Sequence, residues 1–189
     1  MLVRWQDWVG TETGVIVSTV LLLPLTVPAV WLLAWRRRTR GVASPWRRSL
    51  AEVGLVYGTV PWVWLTLMPG ENPGVAPSRV ILVPFQDLLT VDLGQVVGNL
   101  LVFAALGFFA PLRFPALASA WRVGVFAAGC SALIETLQYV LQLDRVSSVD
   151  DVLLNAAGAW LAALASYRWW IRRTEAPAEQ VPVSTTAGR

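Results

Sequence analysis

The stretch SALIETLQYVLQLDRVSSVDDVLLNAAGAW, residues 131–160, decides the fold class of this chain. It contains two apolar segments joined by a short polar run, LDRVSSVDD, at residues 143–151. Both apolar segments also carry polar side chains, which are costly in hydrocarbon unless they are paired or face a cavity. The stretch therefore predicts two adjacent membrane helices with a polar site between them.

The composition of the whole chain favours a membrane protein over a soluble one. Of its 189 residues, 56% are hydrophobic and only 14% are charged. The net charge is +3, and the arginines stand in short clusters between apolar segments rather than along one face. Because nucleic-acid binding needs a continuous basic surface, we expect no nucleic-acid partner.

Five apolar segments are long enough, or nearly so, to cross a hydrocarbon core, which needs about 20 helical residues. They lie near residues 14–35, 49–68, 95–111, 121–142 and 151–170. The sequence thus predicts an all-α, polytopic integral membrane protein with about five transmembrane helices. Residues 1–173 are expected to form a single membrane domain, and residues 174–189 a disordered cytoplasmic tail. A cleavable signal peptide fits the first segment poorly, because RRRTR at 36–40 is typical of a stop-transfer signal.

The arginines predict the orientation of these spans. If five spans alternate, all but three of the 15 arginines fall on one side of the membrane. The three on the other side are Arg4, Arg79 and Arg145. Since cytoplasmic loops are enriched in basic residues, we expect the N-terminus outside and the C-terminus in the cytoplasm.

The outer segment at residues 69–94 is long for a connection. It begins with the turn-rich PGENPGVAP and becomes apolar at VILVPF, residues 80–85. Such a segment is expected to lie in the membrane interface or to fold back as a partial lid. A plain connecting loop is the alternative that the sequence leaves open.

Polar residues recur with the same 0, +4, +7 spacing in the fourth and fifth spans. They are Ser131, Glu135 and Gln138 in the fourth, and Asp151, Asn155 and Gly158 in the fifth. This spacing keeps each set within an arc of roughly 60° on its helix. Asn99 reaches a comparable depth in the third span, so the three spans are expected to enclose a polar pocket that opens outward.

The connection between the fourth and fifth spans adds charged groups above this pocket. Arg145 is the expected partner of Glu135 or of a nearby aspartate. The complete set of candidate binding residues is Asn99, Ser131, Glu135, Gln138, Arg145, Asp150, Asp151 and Asn155. The alternative is that these side chains only hold the helices together through hydrogen bonds.

Other polar residues are expected to play structural parts. Glu52 stands four residues after Arg48, so a local ion pair or a helix-start carboxylate is expected. Cys130 is the single cysteine and lies in an apolar run, which indicates a buried thiol and no intramolecular disulfide. With no histidine in the chain, the sequence predicts no zinc site and no cofactor.

Taken together, these motifs resemble the VanZ-like family of bacterial membrane proteins over roughly residues 51–170. The resemblance is carried by VPF at 83–85, GNLLVFAALGFFAP at 98–111, S-x-x-x-E-x-x-Q at 131–138, and DR with S-x-x-D-D-V-x-x-N-x-x-G at 144–158. One departure concerns the GN motif, which in the family runs towards a proline before the glycine. Here Gly107 is kept and the proline is not.

The resemblance implies a multi-pass protein of the bacterial plasma membrane. It also implies a link to low-level resistance against the lipoglycopeptide teicoplanin, a glycopeptide antibiotic. A non-enzymatic protein is favoured, in which an outward pocket binds a cell-envelope lipid or lipoglycopeptide and membrane lipids are the other partners.

Two further hypotheses remain. In the first, the protein is a membrane-embedded hydrolase or transferase acting on a lipid-linked envelope precursor, with Glu135 as general acid or base. Asp150 and Asp151 with Glu135 could then hold Mg²⁺ through oxygen ligands, although no resident metal is predicted. Against an enzyme, no histidine or lysine is available to activate a serine. In the second, the protein is a transporter, which the absence of an evident inverted repeat disfavours.

Overall fold

A computed structural model of the protein describes residues 10–70, 73–74, 79–85 and 92–174. Within these residues the helices are α1 (Glu12–Thr39), α2 (Pro45–Thr66), α3 (Leu93–Val102), α4 (Ala104–Arg113), α5 (Ala120–Val140), α6 (Val149–Ala165) and α7 (Tyr167–Thr174). Two short strands, β1 (Arg79–Ile81) and β2 (Val146–Ser148), form a small sheet, and a 3₁₀ turn at Pro115–Leu117 leads from α4 towards α5. The predicted helical class is confirmed, with this sheet as an addition. The predicted tail lies outside the described residues beyond Thr174.

Three helical segments among the described residues are long and apolar enough to cross a membrane. They are α1, the continuous stretch Leu93–Arg113 that contains α3 and α4, and α5. The second and fifth predicted spans are also helical, as α2 and α6. These two helices differ from the three long apolar segments in composition or length: α2 carries charged residues near its start, and α6 is only 17 residues long.

The third span is interrupted at Phe103, although no proline stands there. Phe103 has φ −112° and ψ 14°, outside the α-helical region, and α4 starts at the next residue. The interruption lies between two positions where α6 approaches very closely. A Cβ on Gly158 would lie 2.0 Å from the Leu100 carbonyl oxygen, and one on Gly107 would lie 2.1 Å from the Ala159 carbonyl oxygen. Glycine is therefore required on both helices for this packing.

The fifth predicted span is two helices rather than one. Helix α6 ends at Ala165, and Ser166 caps it with its N–H directed to the Ala162 and Leu164 carbonyls. Helix α7 then buries Trp170, whose Nε1 donates to the Ala163 carbonyl oxygen at 3.1 Å, while Trp169 stays exposed. An amphipathic helix of this kind suits the boundary between lipid and water.

The buried core lies among α3, α4, α5 and α6. Its members include Val102, Phe103, Val123, Ala127 and Ala159. Helix α1 stands outside this core and packs on α2, and most of its apolar side chains are exposed. A helix with so much exposed apolar surface is expected to face lipid.

At the arginine-rich end of the bundle, Glu52 joins three helices. Its carboxylate accepts hydrogen bonds from Arg37 of α1 and from Arg113 of α4, and it pairs with both charges. Arg37 also donates to the Ser49 hydroxyl at 2.8 Å. The expectation of a local pair with Arg48 was therefore wrong, because tertiary packing brings two arginines from distant parts of the chain to this carboxylate.

Candidate functional site

The two polar stripes face each other where α5 packs against α6. Asn155 donates through Nδ2 to the Ser131 hydroxyl at 2.7 Å, and both side chains are buried. The other amide atom, Asn155 Oδ1, is buried without a partner among the described residues. This pair forms the deep end of a polar seam between the two helices.

One helical turn closer to the connecting loop, the seam becomes acidic. Asp151 accepts a hydrogen bond from the Asn99 amide of α3. Its negative charge also acts on Glu135 across the seam. Three helices, α3, α5 and α6, thus contribute to this level, which holds two carboxylates.

Glu135 is partly buried and is held by the strand that follows α5. The Ser148 N–H donates to Glu135 Oε2 at 3.2 Å. The Ser147 hydroxyl donates to the Glu135 main-chain carbonyl at 3.0 Å. These donors are neutral, so they orient the carboxylate without offsetting its charge.

Strand β2 pairs in parallel with β1, which belongs to the long outer segment. The register sets Arg79 opposite Val146 and Ile81 opposite Ser148. Asp150 fixes the end of this segment, because its Oδ1 accepts from the Phe85 N–H at 2.6 Å. The described part of the segment therefore folds back over the ends of α5 and α6, as the partial-lid alternative predicted.

A cavity of about 320 Å³ lies beneath this segment. Its walls come from β1, α5, β2 and the start of α6, and Glu135 is the one charged residue among the lining residues that the structure describes. The lining residues are Val80, Ile81, Leu82, Ala132, Glu135, Thr136, Tyr139, Ser147, Ser148, Val149 and Val152. The cavity is thus mostly apolar, and its polar lining residues are Glu135, Thr136, Tyr139 and the two serines.

Of the eight candidate binding residues, only Glu135 lines this cavity. Asn99, Ser131 and Asn155 lie within the seam, where each has a partner in a neighbouring helix. The expectation that the amides converge with Glu135 on one hollow was therefore wrong. Short amide side chains on closely packed helices bond across the interface and leave no space there.

Gln138 of α5 and Arg145 of the following loop both contact the main chain where α2 ends. Gln138 donates to the Thr66 carbonyl oxygen at 2.6 Å, and Arg145 Nε donates to the Met68 carbonyl oxygen at 3.2 Å. The last carbonyls of a helix lack intrahelical donors, so Gln138 acts as a cap at Thr66, whereas Arg145 binds a carbonyl two residues beyond the helix end. Arg145 also lies 3.7 Å from Glu12 Oε1. The described partners of Arg145 are thus Met68 and Glu12 rather than Glu135, whereas the expected pairing with a nearby aspartate stays a prediction.

The three carboxylates considered for Mg²⁺ have separate roles. Asp150 holds the Phe85 amide, Asp151 holds Asn99, and Glu135 faces the cavity. In the described part of the chain, no three acidic, histidine or cysteine side chains are grouped so as to hold a metal ion. The donor set therefore does not fit that hypothesis.

The sequence did not reveal the walls of the cavity. Val80 and Leu82 contribute to it because β1 pairs with β2. The signal that could have indicated them is the apolar run VILVPF, whose β-branched residues favour a strand.

The fold and the seam define a helical membrane protein with a polar helix–helix interface and a covered cavity at one end. The model of the VanZ/LLP1 family matches residues 55–171, and the chain belongs to this family. The matched region includes every candidate site residue and leaves α1 outside. Membership links the protein, at the level of the family, to glycopeptide resistance. The comparisons gave no match among curated proteins or solved structures.

Proposed function

We propose that the protein spans the bacterial plasma membrane five times, with its N-terminus outside and its C-terminus in the cytoplasm. Helix α1, helix α2, the α3–α4 pair, α5 and α6 are the five spans. The arginine distribution supports this orientation, because Arg37, Arg113 and Arg168 would all lie on the cytoplasmic side. The cavity beside Glu135 would then open towards the outer surface.

We further propose that this cavity binds a lipid-tailed ligand of the cell envelope, either a lipid-linked precursor or a lipoglycopeptide. The observation that carries the proposal is one carboxylate, Glu135, in a cavity beside β1 whose other described walls are uncharged and mostly apolar. Apolar walls suit a hydrocarbon tail, and a carboxylate oriented by Ser148 suits a hydrogen-bond donor at its head. Holding a lipoglycopeptide there would keep it from its target and give low-level resistance.

The topology can be tested by labelling single cysteines in intact cells. With Cys130→Ser as the background, Arg145→Cys is expected to react with an impermeant maleimide added outside. Gln180→Cys, in the C-terminal tail, is expected to react only after the cells are opened. Reaction of Gln180→Cys in intact cells, or protection of Arg145→Cys there, would overturn the orientation.

Binding can be tested on purified protein with two antibiotics that differ in one part. Teicoplanin is expected to bind, and a glycopeptide without a lipid tail is expected to bind at least tenfold more weakly, because it cannot fill the apolar walls. Thr136→Trp should block the cavity and abolish binding. Leu133→Trp, on an exposed position of the same helix outside the cavity, is the matched control and should bind normally.

The enzyme alternative has a specific observation in its favour, namely the proximity of Glu135 and Asp151. Paired carboxylates can divide the roles of acid and base. Against it, the Ser147 hydroxyl is directed to a main-chain carbonyl. Glu135→Gln keeps the shape of the side chain, so complete loss of activity with retained ligand binding would favour an enzyme, whereas weakened binding favours a binding protein.

A further inference from the structure

A groove lies between α1 and α2 on the outside of the bundle. Its volume is about 440 Å³. The apolar walls include Leu22, Leu25, Ala29 and Leu33 from α1, and Val53 and Val56 from α2. This groove lies at the arginine-rich end of the molecule, away from the cavity beside Glu135, and is independent of the function proposed above.

The polar atoms within the groove already have partners. The Thr26 hydroxyl donates to the Leu23 carbonyl oxygen at 2.7 Å, and the Tyr57 hydroxyl donates to the Thr19 carbonyl oxygen. The stretch from Leu22 to Leu33 rises about 16 Å along α1, roughly half of a 30 Å hydrocarbon core. The groove therefore suits one acyl chain of a lipid in a single leaflet.

Arginines continue the groove's stripe on α1. Arg37 stands four residues after Leu33, and Arg36 and Arg40 each stand seven residues after a groove residue, so all three lie near the same helix face. Arg36 and Arg40 are exposed and form no ion pair with another described residue. The groove thus ends at two exposed arginines that have no ion pair within the described part of the chain.

Glu52 lies at the same end of the groove, and its negative charge is more than offset. Arg37 and Arg113 both pair with it, so these three residues carry a net charge of +1 (two positive, one negative). Adding Arg36 and Arg40 gives +3 at the mouth of an apolar groove. We propose that this groove binds an anionic phospholipid, with one acyl chain along α1 and the phosphate at Arg36 and Arg40.

The test uses the purified full chain in detergent, with equimolar phosphatidylglycerol and phosphatidylcholine, and counts retained lipids by native mass spectrometry. The wild-type protein is expected to retain phosphatidylglycerol in preference. In the double variant Arg36→Gln/Arg40→Gln, the ratio of retained phosphatidylglycerol to phosphatidylcholine is expected to fall roughly fivefold for each arginine removed. Both side chains are exposed, so the fold should be unaffected.

A second pair of variants tests the groove itself without changing charge. Ala29→Phe should fill the groove and prevent retention of either lipid, with Leu25→Phe as the substitute if Ala29→Phe does not fold. Val27→Phe is the matched control, because Val27 is 71% exposed and lies outside the groove. It should behave like the wild-type protein.

Three results would overturn the proposal. Retention by Ala29→Phe equal to that of the wild-type protein would mean that no acyl chain occupies the groove. An unchanged lipid preference in the double glutamine variant would mean that the phosphate is not at Arg36 and Arg40. A dimer that carries no lipid and becomes monomeric in Ala29→Phe would make a second copy of the chain the occupant.

Discussion

Two partly buried glutamates stand at opposite ends of this bundle, and their surroundings differ in one respect. Glu52 receives two guanidinium groups, from Arg37 and Arg113, and ties three helices together. Among the described residues, the Glu135 carboxylate accepts from the neutral Ser148 N–H of β2, and the negative charge of Asp151 acts on it. A carboxylate with its charge already paired serves the structure, whereas one whose charge is left uncompensated is suited to meet a ligand.

The largest expected effect concerns the close packing of α3 against α6 at Gly158. Gly158→Ala would set a Cβ 2.0 Å from the Leu100 carbonyl oxygen and push α3 away from α6. We expect a loss of about 3 kcal/mol in the free energy of unfolding. Unfolding in detergent would measure it. Gly129→Ala, where a Cβ meets nothing within 4 Å, is the control and should be neutral or stabilising. Equal effects of the two changes would mean that α3 and α6 are less tightly packed than described.

Next in size is the removal of charge from Glu52. Glu52→Gln would leave Arg37 and Arg113 partly buried and close together without a counter-charge. Because these groups retain some exposure, we expect a loss of about 2 kcal/mol in the free energy of unfolding, below the range for fully buried pairs. The same unfolding assay measures it. A stability equal to that of the wild-type protein would mean that the paired charge of Glu52 does not stabilise the fold.

A smaller loss is expected from the neutral part of the seam below Glu135. Ser131→Ala would leave the buried Asn155 amide without its described partner, at a cost of about 1 kcal/mol. Thr136→Ala is the control, because its hydroxyl bonds only to the Ala132 carbonyl of its own helix. Comparable losses in both variants would show that the interhelical hydrogen bond adds nothing.

Glu135→Gln is expected to change stability by less than about 0.5 kcal/mol, because no described positive charge pairs with Glu135 and the repulsion by Asp151 disappears. Ligand binding should nevertheless fall. Unfolding and binding measured on one preparation separate the two effects. A destabilisation as large as that of Glu52→Gln would make Glu135 a structural residue too.

The smallest effect is expected at Arg145. Arg145→Lys keeps a donor for the Met68 carbonyl and lies outside the cavity, so binding should stay within about twofold of the wild-type value. Titration with the ligand measures this. A fall in binding as large as that of Glu135→Gln would mean that the guanidinium reaches the ligand and that the binding site extends beyond the cavity.

The helices and the facing stripes could be predicted because they depend on local periodicity. Apolar segments of sufficient length indicated each helix, and the 0, +4, +7 spacing brought Ser131 opposite Asn155. The same reasoning treated Gln138 as a member of the pocket. It could not reveal that the Thr66 carbonyl, at the end of α2, needs a donor from elsewhere in the chain.

What could not be predicted depends on contacts between distant segments. The partners of Glu52 come from α1 and α4, whereas sequence spacing pointed to Arg48. The cavity arises from the pairing of β1 with β2, whose paired residues are separated by more than 60 positions. No periodicity encodes such a pairing, so the site could be located on α5 but its walls could not.

The sheet of β1 and β2 is two strands wide and three residues long. Because so small a sheet has few main-chain hydrogen bonds, we expect this flap of residues 79–81 to open more readily than the helices. A hydrophobic tail could then slide in sideways from the bilayer, without its head passing through water. The rate of capture would depend on how often the flap lifts, and hydrogen exchange at residues 79–81 would report that frequency directly.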